Sequence, residues 1–279
     1  MDIGKSLTYY FDDPRWVNKL LIGTGVLILS SLFSVLLVGL IGYLIVIGYS
    51  LDVLRNVRNG EQNPMPEWKD RWGEWLVQGF RLVVAALVWS LPAIIVGAAA
   101  IVPGVMTGSN SDFWITIGGL GIVCLSCLVL LWSIIVVLAL PGISIRIAET
   151  ERLGAGLAFG DILAFTRQHL SSVIVVSIVY IIAAFVVSIV GGVIGVLLCG
   201  IGLFVTVPLA TLITYLIQAH LYAQVGRDAP GFAVEPVAAT AISPAPEPAP
   251  VTEVAPVITP EAPAAAVQPD DAPPAIEGQ

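Results

Sequence analysis

Apolar residues run in long uncharged stretches, separated by short segments that hold nearly all the charge. Residues 20–50, 82–102, 113–145 and 171–226 contain no Asp, Glu, Lys or Arg. About 20 apolar residues cross the hydrocarbon of a bilayer as a helix. At about 1.5 Å per residue the last stretch is long enough for two passes, and Gly191, Gly192, Gly195, Gly200 and Gly202 place the turn between them. The pattern predicts an all-α fold: a polytopic transmembrane helical bundle with apolar segments at about 20–50, 82–102, 113–140, 172–198 and 203–224.

The breaks have visible causes. Pro103-Gly104 followed by Ser109-Asn110 reads as a loop, and Pro141-Gly142 as the end of the third stretch. Pro92 and Pro208 fall inside spans, where each predicts a kink. Arg55, Arg58, Lys69 and Arg71 lie between the first two stretches, and Arg146, Arg152 and Arg167 between the third and fourth. The 103–112 loop and the 191–202 turn carry no Lys or Arg. The positive-inside rule puts the basic segments in the cytoplasm, and with them the chain after Arg227. Lys5, Arg15 and Lys19 favour the same side for the N-terminus. Residues 20–50 must then enter and return, as a hairpin bent near Ser30, Ser31 and Ser34, or else form one strongly tilted span.

Three stretches before apolar pairs have the pattern of amphipathic interfacial helices, which makes a weak internal repeat. In residues 67–79, Trp68, Trp72, Trp75 and Leu76 share one face after Pro66, and the tryptophans are expected to act as interfacial anchors. Residues 153–169 offer Leu153, Leu157, Ile162 and Phe165; residues 6–19 offer Tyr10, Phe11, Trp16 and Val17.

Composition agrees with a membrane protein. Hydrophobic residues make up 57% of the chain and charged residues 11%, against about a quarter in soluble domains. Residues 1–227 carry twelve basic and twelve acidic side chains, so the net charge of −8 sits on residues 228–279, where eight acids stand with no base. That segment also holds twelve of the nineteen prolines. It cannot bury a core, and reads as a disordered, acidic, Pro/Ala-rich tail joined to a 1–227 membrane domain.

Candidate chemistry is sparse. Cys124 and Cys127 have C-x-x-C spacing but sit mid-span, with no second pair and no nearby His; packing is the commoner role. His169 stands at a span boundary, and Glu149, Glu151 and Asp161 lie among arginines, as salt-bridged surface groups do. Asp52 with Arg55 reads the same way. Gly191–Gly195 and Gly156–Gly160 match G-x-x-x-G, and the first allows close helix contact. Gln218, His220 and Tyr222, with Gln224 beyond them, form a candidate polar site at a helix end. No catalytic, cofactor-binding or metal-binding constellation is visible, the basic residues are too scattered for nucleic acid, and the span interiors lack the charges that ion-coupled transport uses.

Several segments resemble a known family. They are Gly48-Tyr49, Leu54-Arg55-Asn56-Val57 with Gly60, the block Pro64-Met65-Pro66-Glu67-Trp68, Trp72-Gly73, Arg146-Ile147-Ala148-Glu149, and Pro208 followed by Ala219-His220-Leu221-Tyr222-Ala223-Gln224. Over residues 1–227 the chain resembles the prokaryotic, largely archaeal, membrane family called domain of unknown function 4013. The resemblance implies a multi-pass membrane domain and no established activity. Residues 141–170 are more loosely similar to the membrane domain attached to some glycerophosphodiester phosphodiesterases, whose catalytic domain has no counterpart here. The expectation is a cell-membrane protein with a cytoplasmic C-terminus, whose partners are the lipid bilayer and proteins bound through the tail. Its role is expected to be that of a non-enzymatic scaffold or accessory protein. A passive transporter or channel for a small or lipidic solute is the alternative.

Overall fold

The computed structural model describes residues 2–36, 38–229 and 232, and every regular element among them is helical. Asp2 caps α1 (Ile3–Thr8) by accepting from the Lys5 N–H, and a 3₁₀ turn follows at Tyr9–Asp12. Next come α2 (Trp16–Leu32) and α3 (Gly39–Asn59), α4 (Trp72–Ala99), the short α5 (Ile101–Thr107) and the long α6 (Asp112–Thr150). Two small helices, α7 (Leu153–Gly156) and α8 (Phe159–Gln168), precede α9 (Leu170–Leu197) and α10 (Leu203–Arg227). Five of the helical stretches are long and apolar enough to cross a membrane, and α2 is a shorter apolar helix beside them. The expectation for residues 228–279 lies outside the described residues, apart from Asp228, Ala229 and Phe232.

Residues 20–50 form the hairpin and not the tilted span. α2 and α3 measure about 25 and 31 Å at 1.5 Å per residue, and a 3₁₀ turn at Ser34–Leu36 joins them. Ser30 and Ser31 stand in the last turn of α2, and the Ser31 and Tyr43 hydroxyls meet across the hairpin at 2.9 Å. Gly60, at φ +81°, closes α3: its N–H bonds the Val57 carbonyl, and the next N–H, of Glu61, bonds Asn56. That pairing is the Schellman motif, which needs a left-handed residue where glycine stands.

Three hairpins result: α2 with α3, α4 with α6, and α9 with α10. The expected amphipathic helix precedes the third hairpin, as α8, but an irregular segment precedes the second. The open ends of the hairpins meet at one end of the bundle, where Lys19 reaches the Met65 carbonyl, Arg55 reaches Glu151, and Arg58 reaches Gly226. The largest buried side chains cluster toward this charged end, among them Tyr49, Leu54, Trp75, Ile143, Ile147 and Leu216. Toward the other end Ile95, Val105, Leu120, Val123, Val193 and Phe204 are exposed. Lipid tails are as apolar as leucine, so burying such residues between helices yields little there. Next to water the hydrophobic effect returns, and that is where the core forms.

Three sequence expectations are corrected. Pro141-Gly142 does not end α6, which runs unbroken to Thr150 over 39 residues, about 58 Å. A proline inside a helix costs about 3 kcal/mol. Here the stretch beyond it is buried on all sides, with Ile143, Ile145 and Ile147 inaccessible and Gly142 under Phe165 and Ile162 of α8. Burial on that scale outweighs the lost hydrogen bond. Pro103-Gly104 is helical too, inside α5, where the missing N–H falls in the first turn and lacks an intrahelical partner anyway. Residues 67–79 are not a separate surface helix. Residues 60–71 are irregular, and α4 begins only at Trp72 and continues directly into its span. α8 does have the expected amphipathic form, with Ile162 and Phe165 buried and Asp161 and Arg167 outside.

Candidate functional site

The last turns of α10 are buried on every side, from Leu216 through Gly226 apart from the half-buried Gln218. This burial fixes where the candidate polar residues point. Residues two apart on a helix face opposite ways, so the structure divides Gln218, His220 and Tyr222 into two groups. Gln218 donates from Nε2 to the Tyr222 hydroxyl at 3.0 Å, on the side where Tyr222 meets Tyr180 of α9. His220 faces the other way, toward α1, together with Gln224.

The His220 group is a closed set of hydrogen bonds. Ser6 Oγ lies 2.8 Å from His220 Nδ1. Gln224 Nε2 donates to Ser6 Oγ at 2.8 Å and to the Asp2 carbonyl at 2.9 Å, while Gln224 Oε1 accepts from the Asp2 N–H at 2.7 Å. Ser6 Oγ also donates to the Asp2 carbonyl at 3.1 Å, and Gln224 Nε2 lies 3.1 Å from His220 Nδ1, so these few polar atoms share more contacts than they have hydrogens. The Tyr9 ring stacks on the imidazole at 4.5 Å and its hydroxyl donates to the Leu216 carbonyl at 3.1 Å. Burial, with lesser repulsion from Tyr49 and Tyr10, holds the Tyr9 phenol well above its ordinary pKa. Ser6 pairs with a histidine and is completely buried behind this set. A cavity of about 380 Å³ opens beside it, lined by Asp2, Tyr9, Glu61, His220, Gln224 and Arg227 among others. Its charges are mixed in sign.

The second constellation joins the hairpins. Asp52, fully buried, accepts from Trp75 Nε1 at 2.7 Å, from Arg55 at 2.8 Å and from Arg71 at 2.6 Å. Arg55 extends to Glu151 at 2.7 Å, and Gln78 also donates to that carboxylate. Lys19, itself buried, meets Asp13 at 2.6 Å, Glu67 at 3.0 Å and the Met65 carbonyl at 2.6 Å. Arg58 pairs with Glu149, Arg146 with Asp161, and Arg227 donates to the Val57 carbonyl. Glu149, Glu151 and Asp161 are thus salt-bridged, as the sequence suggested, but two of the three partners come from α3. Asp52 is an interior group and not a surface one.

Trp68, Trp72 and Trp75, expected as interfacial anchors, pack together in this same core, with Trp68 and Trp75 buried and Trp72 half-buried. Trp68 stacks on Tyr49 at 4.2 Å and donates its Nε1 hydrogen to the Lys19 carbonyl at 3.0 Å. Trp75 is fully buried, edge-on to both Tyr49 and Trp68, and Trp72 packs beside them. Asp52 and Lys19 are the signal that sequence reasoning missed: buried charges at helix ends need indole donors and carbonyls as partners.

Cys124, Cys127 and Cys199 are exposed on the apolar surface. Among the described residues no group of three or more His, Cys, Asp or Glu is placed to hold a metal ion.

Long apolar helices, with Lys and Arg gathered at one end, define a polytopic α-helical integral membrane protein. The chain belongs to the family described as Protein of unknown function (DUF4013), which matches residues 31–200. The match begins at the end of α2 and stops in the α9–α10 turn, so the His220 group lies outside it. No curated protein and no solved structure matches the chain.

Proposed function

We propose that this protein is a non-enzymatic scaffold or accessory protein of the cell membrane, with the charged end and the C-terminus in the cytoplasm and protein partners bound through the acidic tail. The observation that carries this reading is the cross-linking at the charged end. There the buried Asp52 and Lys19 are engaged with groups on other segments, and Ser6 is sealed behind His220 and Gln224. Such an arrangement ties the three hairpins into a rigid platform. The concentration of Lys and Arg at this end supports its cytoplasmic placement. A second reading, a passive carrier for a lipidic solute, draws on a hydroxyl-lined groove between α9 and α10.

The test is cross-linking in native membranes, with purification of the full chain beside a chain ending after Phe232. The scaffold reading expects defined proteins on the full chain that the shortened chain loses. Solute flux in proteoliposomes, with no partner dependent on the tail, would overturn it in favour of the carrier.

A further inference from the structure

α9 and α10 approach closely near their shared turn. A Cβ added at Gly195 would fall 2.5 Å from Thr206 Oγ1, and one at Gly191 3.1 Å from the Ala210 Cβ. A groove of about 230 Å³ opens beside this contact. Its lining includes five hydroxyls, from Tyr180, Ser188, Thr211, Thr214 and Tyr215. The two threonines donate to carbonyls one turn back, Thr211 to Val207 at 2.9 Å and Thr214 to Ala210 at 2.8 Å. The hydroxyls of Tyr180, Ser188 and Tyr215 have no hydrogen-bond partner among the described residues. Tyr215 stands midway along α10, about 18 Å from the turn. That distance places it deep in a hydrocarbon layer about 30 Å thick.

Donors at that depth cannot be satisfied by acyl chains, and an unpaired hydroxyl in an apolar medium costs a few kcal/mol. Ester carbonyls of ordinary lipids lie at the headgroup boundary, too shallow to serve. The complementary ligand is neutral, dissolves in the hydrocarbon and presents carbonyl oxygens. The groove is smaller than the roughly 300–1,000 Å³ of drug-sized sites, so it admits one ring and leaves the rest of the molecule among the lipid tails. We propose that this groove binds the ring of a membrane-soluble carbonyl compound of the quinone class, with Tyr180 and Tyr215 donating to its oxygens. The site is independent of the scaffold reading.

Equilibrium binding of tritiated decyl-benzoquinone to the full chain in lipid nanodiscs tests this. The expected result is saturable binding at one site per chain, competed by unlabelled quinone and not by decylbenzene. Y180F combined with Y215F removes only the two hydroxyls and should weaken binding about tenfold with unchanged thermal unfolding. Gly192→Leu fills the groove; a Cβ there meets no atom within 4 Å, so the variant should fold and lose the saturable component. Uptake that rises only in proportion to lipid, or equal binding by the double phenylalanine variant and by G192L, would overturn the proposal.

Discussion

Trp75 gives its indole hydrogen to Asp52 at 2.7 Å, tying the first turn of α4 to the second half of α3. Both side chains are fully buried, and the same carboxylate receives Arg55 and Arg71. A buried charge contributes to a fold only while its partners remain. Trp75→Phe removes the donor together with part of a fully buried ring, and should cost about 1–3 kcal/mol. Asp52→Leu takes the acceptor from Trp75 and a shared carboxylate from two arginines, which keep Glu151 and Glu74, and should cost more than the loss of the indole donor alone. Unfolding in detergent, followed by far-UV circular dichroism, orders the two. A D52L variant as stable as W75F would show that the arginines turn to solvent without loss.

Two glycines set the α3–α4 crossing. A Cβ on Gly48 would lie 1.9 Å from the Trp75 carbonyl oxygen, and one on Gly79 would lie 1.9 Å from that of Leu44. Backbone cannot yield as a flexible side chain can. Gly48→Ala and Gly79→Ala should each sharply reduce the recovery of folded protein. Gly119→Ala, where the new methyl meets nothing within 4 Å, should not. Size-exclusion profiles of the three variants make the comparison.

His220→Ala should insert normally and lose no more than a few kcal/mol of stability. Ser6→Ala should show a smaller loss, and the double variant less than the sum, because both remove the same 2.8 Å contact. Strict additivity in a double-mutant cycle would mean that the two groups do not interact in the membrane.

Tyr9 predicts an alkaline limit. Its phenol is held well above the ordinary value of 10.0, chiefly by burial. The raised pKa means that its contribution is intact below about pH 10 and is lost as pH climbs toward the folded-state value. Tyr9→Phe should therefore unfold less steeply with rising pH above 10, although it is less stable at neutral pH for want of the bond to Leu216. Equal alkaline slopes for the two proteins would contradict this assignment.

Phe232 stacks on Phe165 at 4.0 Å and lies beneath the Arg146 guanidinium at 5.3 Å; Ala229 accepts from Arg58. A chain ending after Phe232 should match the full chain in thermal stability and topology. A chain ending after Arg227 should lose about 1–2 kcal/mol, the worth of an aromatic pair and a cation–π contact. External protease that removed the tail from sealed cells would reverse the proposed orientation.

The spans were legible because an uncharged run of membrane length has few other uses, and the hairpin in residues 20–50 because the charges at both its ends ask for the same side. Pro141 was misread because the rule for proline assumes that the helix beyond it has nothing to gain, whereas Ile143–Ile147 gains a core. That the tryptophans pack inward was not legible, because periodicity shows which residues share a face and not what that face meets. Gln218, His220 and Tyr222 are neighbours in sequence, and helical geometry separates them. Ser6 and Tyr9, the real company of His220, carry no local signal, since more than 200 residues of chain intervene.

That intervening length has a temporal meaning. Asp2 and Gln224 are bonded twice across 222 positions. Ribosomes extend chains at about 5–20 residues per second, so α1 is made roughly ten to forty seconds before its partner. Throughout that interval Ser6 and Tyr9 stay unmatched, and only arrival of the final helix completes the set. A nascent chain halted anywhere before α10 would carry its first helix undocked, an unfinished state that membrane quality-control proteases could distinguish from the finished one.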